Sequence, residues 1–177
     1  MSAGDRSSKG ADRAAARSRC GVNDLLDDFQ RAWMGRRRGA FRKMCAPDLH
    51  WEDPFCEEPL YGPEALADHA ARLWEAFPDA KVEAAGERLS DGRFIAAPIR
   101  LSGTHLGEIE GIPPTGHYVV VHAVLYCELD PPREQLWRVR AFFDAYEAAV
   151  QVGVLPRRGS LGERALLALR GFGIGRR

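Results

Sequence analysis

Apolar residues recur at helical spacing in the first third of the chain, which predicts helices there. The first helix begins at Leu25 behind a cap from Asn23 or Asp24. A second, shorter helix covers Ala40–Cys45 and stops at Pro47. The apolar face of the first helix consists of Leu25, Leu26, Phe29 and Trp33.

A third helix, Ala65–Phe77, opens at Gly62 and Pro63 and leads into segments that read as strands bounded by turn residues. A last helix, Ala145–Val152, ends at Gly153. The predicted strands are Leu49–Asp53, Lys81–Leu89, Arg93–His105, His117–Leu129 and Gln135–Asp144. Helices followed by a long antiparallel run favour the α+β class. A curved sheet wrapped by three helices leaves an interior cavity, which is where small molecules normally bind.

Charge is balanced overall, with 25 basic and 25 acidic residues, but it is not evenly distributed. Residues 1–20 carry five basic and two acidic side chains, and residues 157–177 carry six and one. Residues 21–156 therefore hold a net charge of −8 and offer no basic face for nucleic acid. The longest apolar run, Tyr118–Cys127, is too short to span a membrane. We expect a single domain over 21–156 with a disordered N-terminal tail.

Metal and nucleotide motifs are missing from the sequence. The four cysteines form no C-x-x-C pair, and the histidines show none of the usual ligand spacings. No glycine-rich phosphate loop is present, and residues 1–20 lack the apolar segment of a secretory signal. We therefore expect no cofactor, no metal and a cytoplasmic protein with reduced thiols.

Several segments, in order along residues 24–156, resemble the SnoaL-like polyketide cyclases, also known as ester cyclases. Their most specific part is Gly103-Thr104-His105 followed by Gly111-Ile112-Pro113-Pro114-Thr115-Gly116. The others are 46–48, 51–54, 60–66, 76–79 and 151–156. The resemblance implies the cone-shaped α+β barrel of nuclear transport factor two, ketosteroid isomerase and scytalone dehydratase. It also implies a lyase or isomerase of secondary metabolism that closes a ring of an aromatic polyketide ester by a metal-free aldol reaction.

Asp144 matches the acid/base aspartate that the resemblance implies. It follows an apolar strand, so we expect its carboxyl to be desolvated and its pKa raised; the alternative is that it caps the helix from Ala145. His105 is the expected donor to a substrate carbonyl or enolate oxygen. The alternative for His105 is a bond to a loop carbonyl at the strand end.

Trp51 and Asp53 share one face of their strand and are candidate pocket residues, although Asp53 before a proline is also typical of a turn. The family commonly has His where this chain has Glu52. Arg140 lies on the face of Asp144, either binding a substrate carboxylate or exposed to solvent. Candidate pocket walls, which also read simply as core, are Phe29, Trp33, Phe55, Trp74, Phe77 and Tyr126.

Three functional hypotheses follow. The first is a cofactor-independent cyclase with Asp144 as acid/base and His105 as polarising donor. The second is a non-catalytic binding or dimerisation module of the same fold. The third is a hydrolase or dehydratase in which Asp53 or Glu52 orients water. Apolar residues on both faces of the strand around Val119 and Val120 also predict a homodimer.

The segment after Pro156 extends beyond the resemblance. Ser160 caps a predicted amphipathic helix with Arg164 and Arg170 near its edges. Its apolar face consists of Leu161, Ala165, Leu169 and Phe172. We expect this basic helix to pack against the acidic domain or its dimer mate, and we do not expect it to bind a membrane.

Overall fold

The structure, a computed structural model, describes residues 23–130 and 134–171, which form five α-helices and a seven-stranded sheet. The predicted disordered tail, residues 1–20, lies outside the described residues. The helices are α1 (23–34), α2 (Phe41–Met44), α3 (Gly62–Ala76), α4 (Ala145–Val152) and α5 (Leu161–Gly171), with a 3₁₀ turn at Arg38–Ala40. The strands are β1 (Cys45–Glu52), β2 (Leu60–Tyr61), β3 (Lys81–Ala84), β4 (Leu89–Ser90), β5 (Phe94–Thr104), β6 (Tyr118–Asp130) and β7 (Gln135–Phe143).

The sheet is mixed and open. Its order is β2-β1-β7-β6-β5-β3, and β4 pairs with β5 beside β3. β1 and β7 run parallel, whereas the other neighbours are antiparallel. The α+β class is confirmed, and α1, α2 and α3 share an apolar core with the sheet.

Three local predictions are wrong. Asn23 and Asp24 are already helical, so neither caps α1. β1 begins at Cys45 and passes through Pro47, because Pro47 lies where β1 and β7 shift register and needs no ladder hydrogen bond there. The predicted strand Lys81–Leu89 is two short strands with an irregular segment between them.

An aromatic cluster fills the space between the helices and the sheet. It joins α1, α2, β1 and α3, with ring centroids 5.5–6.4 Å apart in stacked, tilted and edge-on pairs. Its members are Phe29, Trp33, Phe41, Trp51 and Trp74. Such pairs contribute beyond their buried area, so this cluster sets the position of α1 and α3 over the sheet.

The loop after β5 presses directly on the end of α3. The Leu106 and Gly107 N–H groups both donate to the Ala76 carbonyl, at 2.9 and 3.0 Å. A Cβ at position 107 would collide with the Glu75 backbone oxygen. Gly107 is therefore required by the close approach of two backbones.

Helix α5 forms as predicted, and the Glu163 N–H donates to Ser160 Oγ at 3.2 Å. Its apolar residues, however, are not buried against the rest of the chain: Leu161, Leu166 and Leu169 are 82, 47 and 55% exposed. The leucines of α5 are therefore not packed on their own domain, although Glu163 contacts Tyr146; packing on a dimer mate stays a prediction, and Phe172 lies outside the described residues. No helix within the described ranges has the length and apolar content needed to cross a membrane.

Candidate active site

A cavity lies between the inner face of the sheet and helices α1, α3 and α4. It has two adjoining lobes of about 80 and 250 Å³. The residues that line both lobes are Trp33, Phe55, Leu73, Val82, Leu101 and Phe143. Almost all of the lining is apolar. Among the described lining residues the charged ones are Asp53, Arg88 and Lys81, and Asp53 is the only acid. Arg88 is already paired with Asp27 at 2.7 Å.

Asp53 lies just beyond the end of β1, and three N–H groups hold its carboxylate. Trp51 Nε1 and His69 Nε2 donate to Oδ2 at 2.7 and 2.8 Å, and the Phe55 N–H donates to Oδ1 at 2.7 Å. The side chain is 5% exposed. Oδ2 therefore accepts two hydrogen bonds and Oδ1 accepts one, and the Cys56 thiol also interacts with this carboxylate.

The hydrogen bonds decide the charge of this carboxyl. Burial opposes ionisation of Asp53, but the donors His69, Trp51 and Phe55 outweigh it and hold the pKa of Asp53 below its ordinary value. Asp53 is therefore an ionised carboxylate at neutral pH, fixed in orientation on the wall of an apolar cavity.

His69 is the residue that sequence analysis missed. It lies on the buried face of α3 among Leu66, Ala70 and Leu73, and its side chain is 2% exposed. The sequence did place His69 three residues after Leu66, on the apolar face of the predicted helix, and this spacing could have indicated a buried histidine. Such a histidine has no local partner in the sequence, because its partner Asp53 is 16 residues away in the chain.

Three different ligand types meet beside the cavity. The donor atoms of Asp53, Cys56 and His69 lie within 4.8 Å of one another, an arrangement that no spacing motif predicted. Cys56 Sγ lies 3.9 Å from His69 Nδ1. Burial and the neighbouring Asp53 charge raise the pKa of the Cys56 thiol to about 12. The thiol is therefore protonated, and a metal ion would have to displace this proton and the His69–Asp53 hydrogen bond.

Several predicted pocket residues do lie in the cavity wall. Trp51 and Asp53 face the smaller lobe, as their shared strand face predicts. The aromatic residues of the wall are Phe29, Trp33, Phe55, Trp74 and Phe77.

Tyr126 and Arg140 do not lie in the wall, and their predicted pocket role is wrong. They are paired across β6 and β7 on the outer face of the sheet. Tyr126 is 46% exposed and stacks on Phe94. Arg140 binds Glu52 at 2.6 Å, and this hydrogen bond lowers the pKa of Glu52.

The expected desolvation of Asp144 is also wrong. Asp144 caps α4 by accepting from the Glu147 N–H at 3.0 Å, its side chain is 57% exposed, and Arg158 lies 3.7 Å away. Side chains along β7 point alternately into the cavity and out to solvent. Arg140 and Asp144 are four residues apart, so both point outward, away from the cavity.

His105 is fully buried, and it braces the loop that follows it. Its Nδ1 lies 3.1 Å from Thr115 Oγ1 and accepts from the Thr115 N–H at 3.3 Å. Its ring packs on Phe77, with centroids 5.3 Å apart. Burial lowers the pKa of His105, which favours the neutral ring. The Thr-His and Pro-Thr-Gly segments of the motif thus meet in one structural contact, behind a wall residue of the cavity.

Comparison with known proteins agrees with this geometry. The family model for the SnoaL-like polyketide cyclases matches residues 23–151. None of the curated proteins matches the chain.

Solved structures with the same fold cover most of the chain. A Jannaschia sp. CCS1 protein assigned as a SnoaL-like polyketide cyclase aligns with a TM-score of 0.68 at 21% identity, over 78% of this chain and 94% of its own. TsrD from Streptomyces laurentii gives 0.68 at 19%, over 77 and 98%. A Catenulispora acidiphila protein with a ketosteroid isomerase-like fold, in complex with trimethylamine, gives 0.60 at 16%, over 73 and 92%. At these low sequence identities, the structural similarity establishes the fold alone.

Proposed function

Because the chain belongs to the SnoaL-like polyketide cyclase family, we propose that it is an enzyme that closes a ring of a hydrophobic, carbonyl-rich small molecule by acid–base, aldol-type chemistry. One observation carries this proposal. The Asp53 carboxylate is ionised, oriented and positioned as the only acid among the described residues of an otherwise apolar cavity wall.

Asp53 Oδ1 is the proposed base. It removes a proton from a carbon between two carbonyls of the substrate, and the resulting enolate carbon attacks a second carbonyl carbon of the same molecule. A carbon–carbon bond forms as the carbonyl π bond breaks, and the new alkoxide takes the proton back from Asp53. The step is balanced without an oxidant or reductant.

The cavity supplies position rather than further charge. Aromatic walls from α1 and α3 suit a flat, apolar substrate. Excluding water from the wall strengthens the interaction between the carboxylate and the carbon acid. His69 acts through Asp53, by holding Oδ2 so that Oδ1 keeps its direction, and is a positioning residue.

This proposal moves the acid/base role from Asp144 to Asp53. The exposure of Asp144 and its capping bond support a structural role, and the contacts of His105 with Thr115 support a structural role for that residue too.

A hydrolase or dehydratase remains the second candidate, because Oδ1 of Asp53 could equally orient a water molecule. Incorporation of ¹⁸O from labelled water into the product would favour hydrolysis over ring closure.

The base assignment can be tested before the natural substrate is known. The probe is a naphthyl β-keto methyl ester in D₂O, with deuterium uptake at the carbon between its carbonyls followed by NMR. We expect wild-type protein to accelerate uptake and Asp53→Asn to lose about a hundredfold or more of that acceleration. The matched variant Asp144→Asn should stay within about twofold. Equal loss in both variants, or loss in Asp144→Asn alone, would place the base elsewhere. Probe binding without any acceleration would favour a non-catalytic binding module.

We also propose a homodimer formed through the outer face of the sheet. Tyr118, Val124 and Tyr126 point to this face from β6, and Phe142 is paired with Val124 from β7; all four are at least 39% exposed. Phe142→Glu should dissociate the dimer in light scattering, whereas Leu89→Glu, at a residue 69% exposed on β4, should not. A wild-type mass near 19.6 kDa would refute the dimer.

A further inference from the structure

Helix α5 is attached to the rest of the chain by its polar side. The Tyr146 hydroxyl oxygen of α4 lies 3.0 Å from the Pro156 carbonyl oxygen and 3.3 Å from Glu163 Oε1, and these two acceptors share its one hydrogen. Arg158 lies over the Tyr146 ring, 4.6 Å from its centroid. Through these contacts, the side of α5 that carries Glu163 lies against α4.

The leucines lie on a different face. At 3.6 residues per turn, Leu161, Leu166 and Leu169 fall within an arc of about 140°, and Glu163 lies outside it. Ala165 belongs to the same arc, Ala168 lies about 20° beyond its Leu161 edge, and both are exposed. The attachment of α5 through Glu163 therefore directs an apolar face away from the protein.

The surroundings of this face are basic. Residues 157–177 contain six basic residues and one acid, and that acid, Glu163, is engaged with Tyr146. Arg164 is exposed and lies about 60° from Leu161, at the border of the apolar arc. Arg157 is exposed just before the helix, whereas the neighbouring Arg158 contacts Asp144 and the Tyr146 ring. An apolar face bordered by arginines is typical of a helix that lies in the plane of a membrane interface.

Contrary to the expectation from the sequence, we propose that α5 binds the surface of an anionic lipid bilayer, with Leu161, Leu166 and Leu169 inserted among the acyl chains and Arg157 and Arg164 at the headgroups. Its 11 residues, about 16 Å long, lie along the surface rather than across it. Because α4 both carries α5 and lines the cavity through Ala145, Ala148 and Ala149, the bilayer lies on the α4 side of the cavity.

Charge favours a bilayer over a second copy of this helix. Pairing two α5 helices would bring together two equally basic segments, whereas an anionic surface attracts each arginine by about 1 kcal/mol. The rest of the chain does not cover the leucine face of α5, because Leu161, Leu166 and Leu169 are all exposed.

The test is co-sedimentation of the full chain with mixed phosphatidylglycerol–phosphatidylcholine vesicles and with phosphatidylcholine vesicles alone. We expect binding to the mixed vesicles only, and weaker binding as salt is raised. Leu166→Gln should lower the partition coefficient by about tenfold. The neighbouring Leu167 is 57% exposed but lies outside the arc, so Leu167→Gln should leave binding within about twofold. Arg164→Gln should lower it by about fivefold.

Three outcomes would overturn the proposal. The first is no sedimentation with the anionic vesicles. The second is an equal loss from Leu166→Gln and Leu167→Gln, which would remove the role of the apolar face. The third is a combined result: wild type does not bind vesicles, and Leu166→Gln halves the mass measured by light scattering. That result would mean that the leucine face of α5 binds a second copy of the chain. None of these outcomes bears on deuterium uptake in the absence of vesicles, so this proposal and the role of Asp53 stand or fall separately.

Discussion

Replacing His69 by Phe tests the network that fixes the Asp53 carboxylate. The ring volume is kept, but the 2.8 Å hydrogen bond to Oδ2 is lost, and a carboxylate only 5% exposed is left with Trp51 and Phe55 as donors. A hydrogen bond to a charged group contributes about 1.5–3 kcal/mol, and a buried charge that loses a partner adds to this. We expect the free energy of unfolding at pH 7 to fall by about 2–4 kcal/mol.

The loss should depend on pH with a definite sign. In wild type, the pKa of Asp53 in the folded protein is below its unfolded value, so its contribution is fully present above the unfolded pKa and is lost as pH falls through the folded pKa. Without His69, the folded pKa of Asp53 rises. The difference between wild type and variant should therefore shrink as pH is lowered and the variant's carboxyl becomes protonated.

The assay is urea denaturation of wild type, His69→Phe, Asp53→Asn and the double variant, at neutral and acidic pH. The double-mutant cycle separates the Asp53–His69 interaction from the cost of each substitution alone. We expect a coupling of about 2–3 kcal/mol at pH 7. Additive losses, or a His69→Phe effect below about 0.5 kcal/mol, would refute the reasoning.

Three further substitutions test other parts of the account. Asp144→Ala removes the α4 cap and should lower the free energy of unfolding by about 1 kcal/mol in urea denaturation, without changing deuterium uptake; a large loss of uptake would contradict the assignment. Gly107→Ala should lower the melting temperature by several degrees, since a Cβ there collides with the Glu75 backbone; an unchanged melting temperature would show that the loop can move. Trp51→Phe keeps an aromatic side chain, although a smaller one, and removes the Nε1 donor, so the pKa of Asp53 should rise in an NMR titration; a fixed pKa would mean that this bond does not stabilise the charge.

The sequence predicted the elements whose local signals agree with one another. Helix α4 has its bounds at the predicted residues because Asp144 and Gly153 cap its two ends. Helix α5 begins after Ser160 for the same reason. Pro47 misled the reading of β1, because a proline is tolerated at a register shift that only the pairing with β7 reveals.

The faces of the sheet were harder to predict than its strands. Val119, Val120 and Val121 are consecutive, so β6 has no clear alternation at its start, and a shift of one residue exchanges the two faces. On β7, Arg140 shares its face with Asp144, and that face is exposed, so placing Asp144 in the pocket misplaces Arg140 with it. The pair of Asp53 and His69 joins a strand end to a helix face, and only the packing of α3 on β1 brings them together.

The pH dependence of kcat/KM for deuterium uptake by the β-keto ester tests the central claim most directly, because it reports the ionisation of the base in the free enzyme. The pKa of Asp53 is held below its ordinary value. The account therefore predicts a rate constant that is flat from about pH 5 to 8 and falls only below about pH 4. An acid limb with a midpoint between about pH 6 and 7, as a histidine base or a desolvated carboxyl of raised pKa would give, would contradict it.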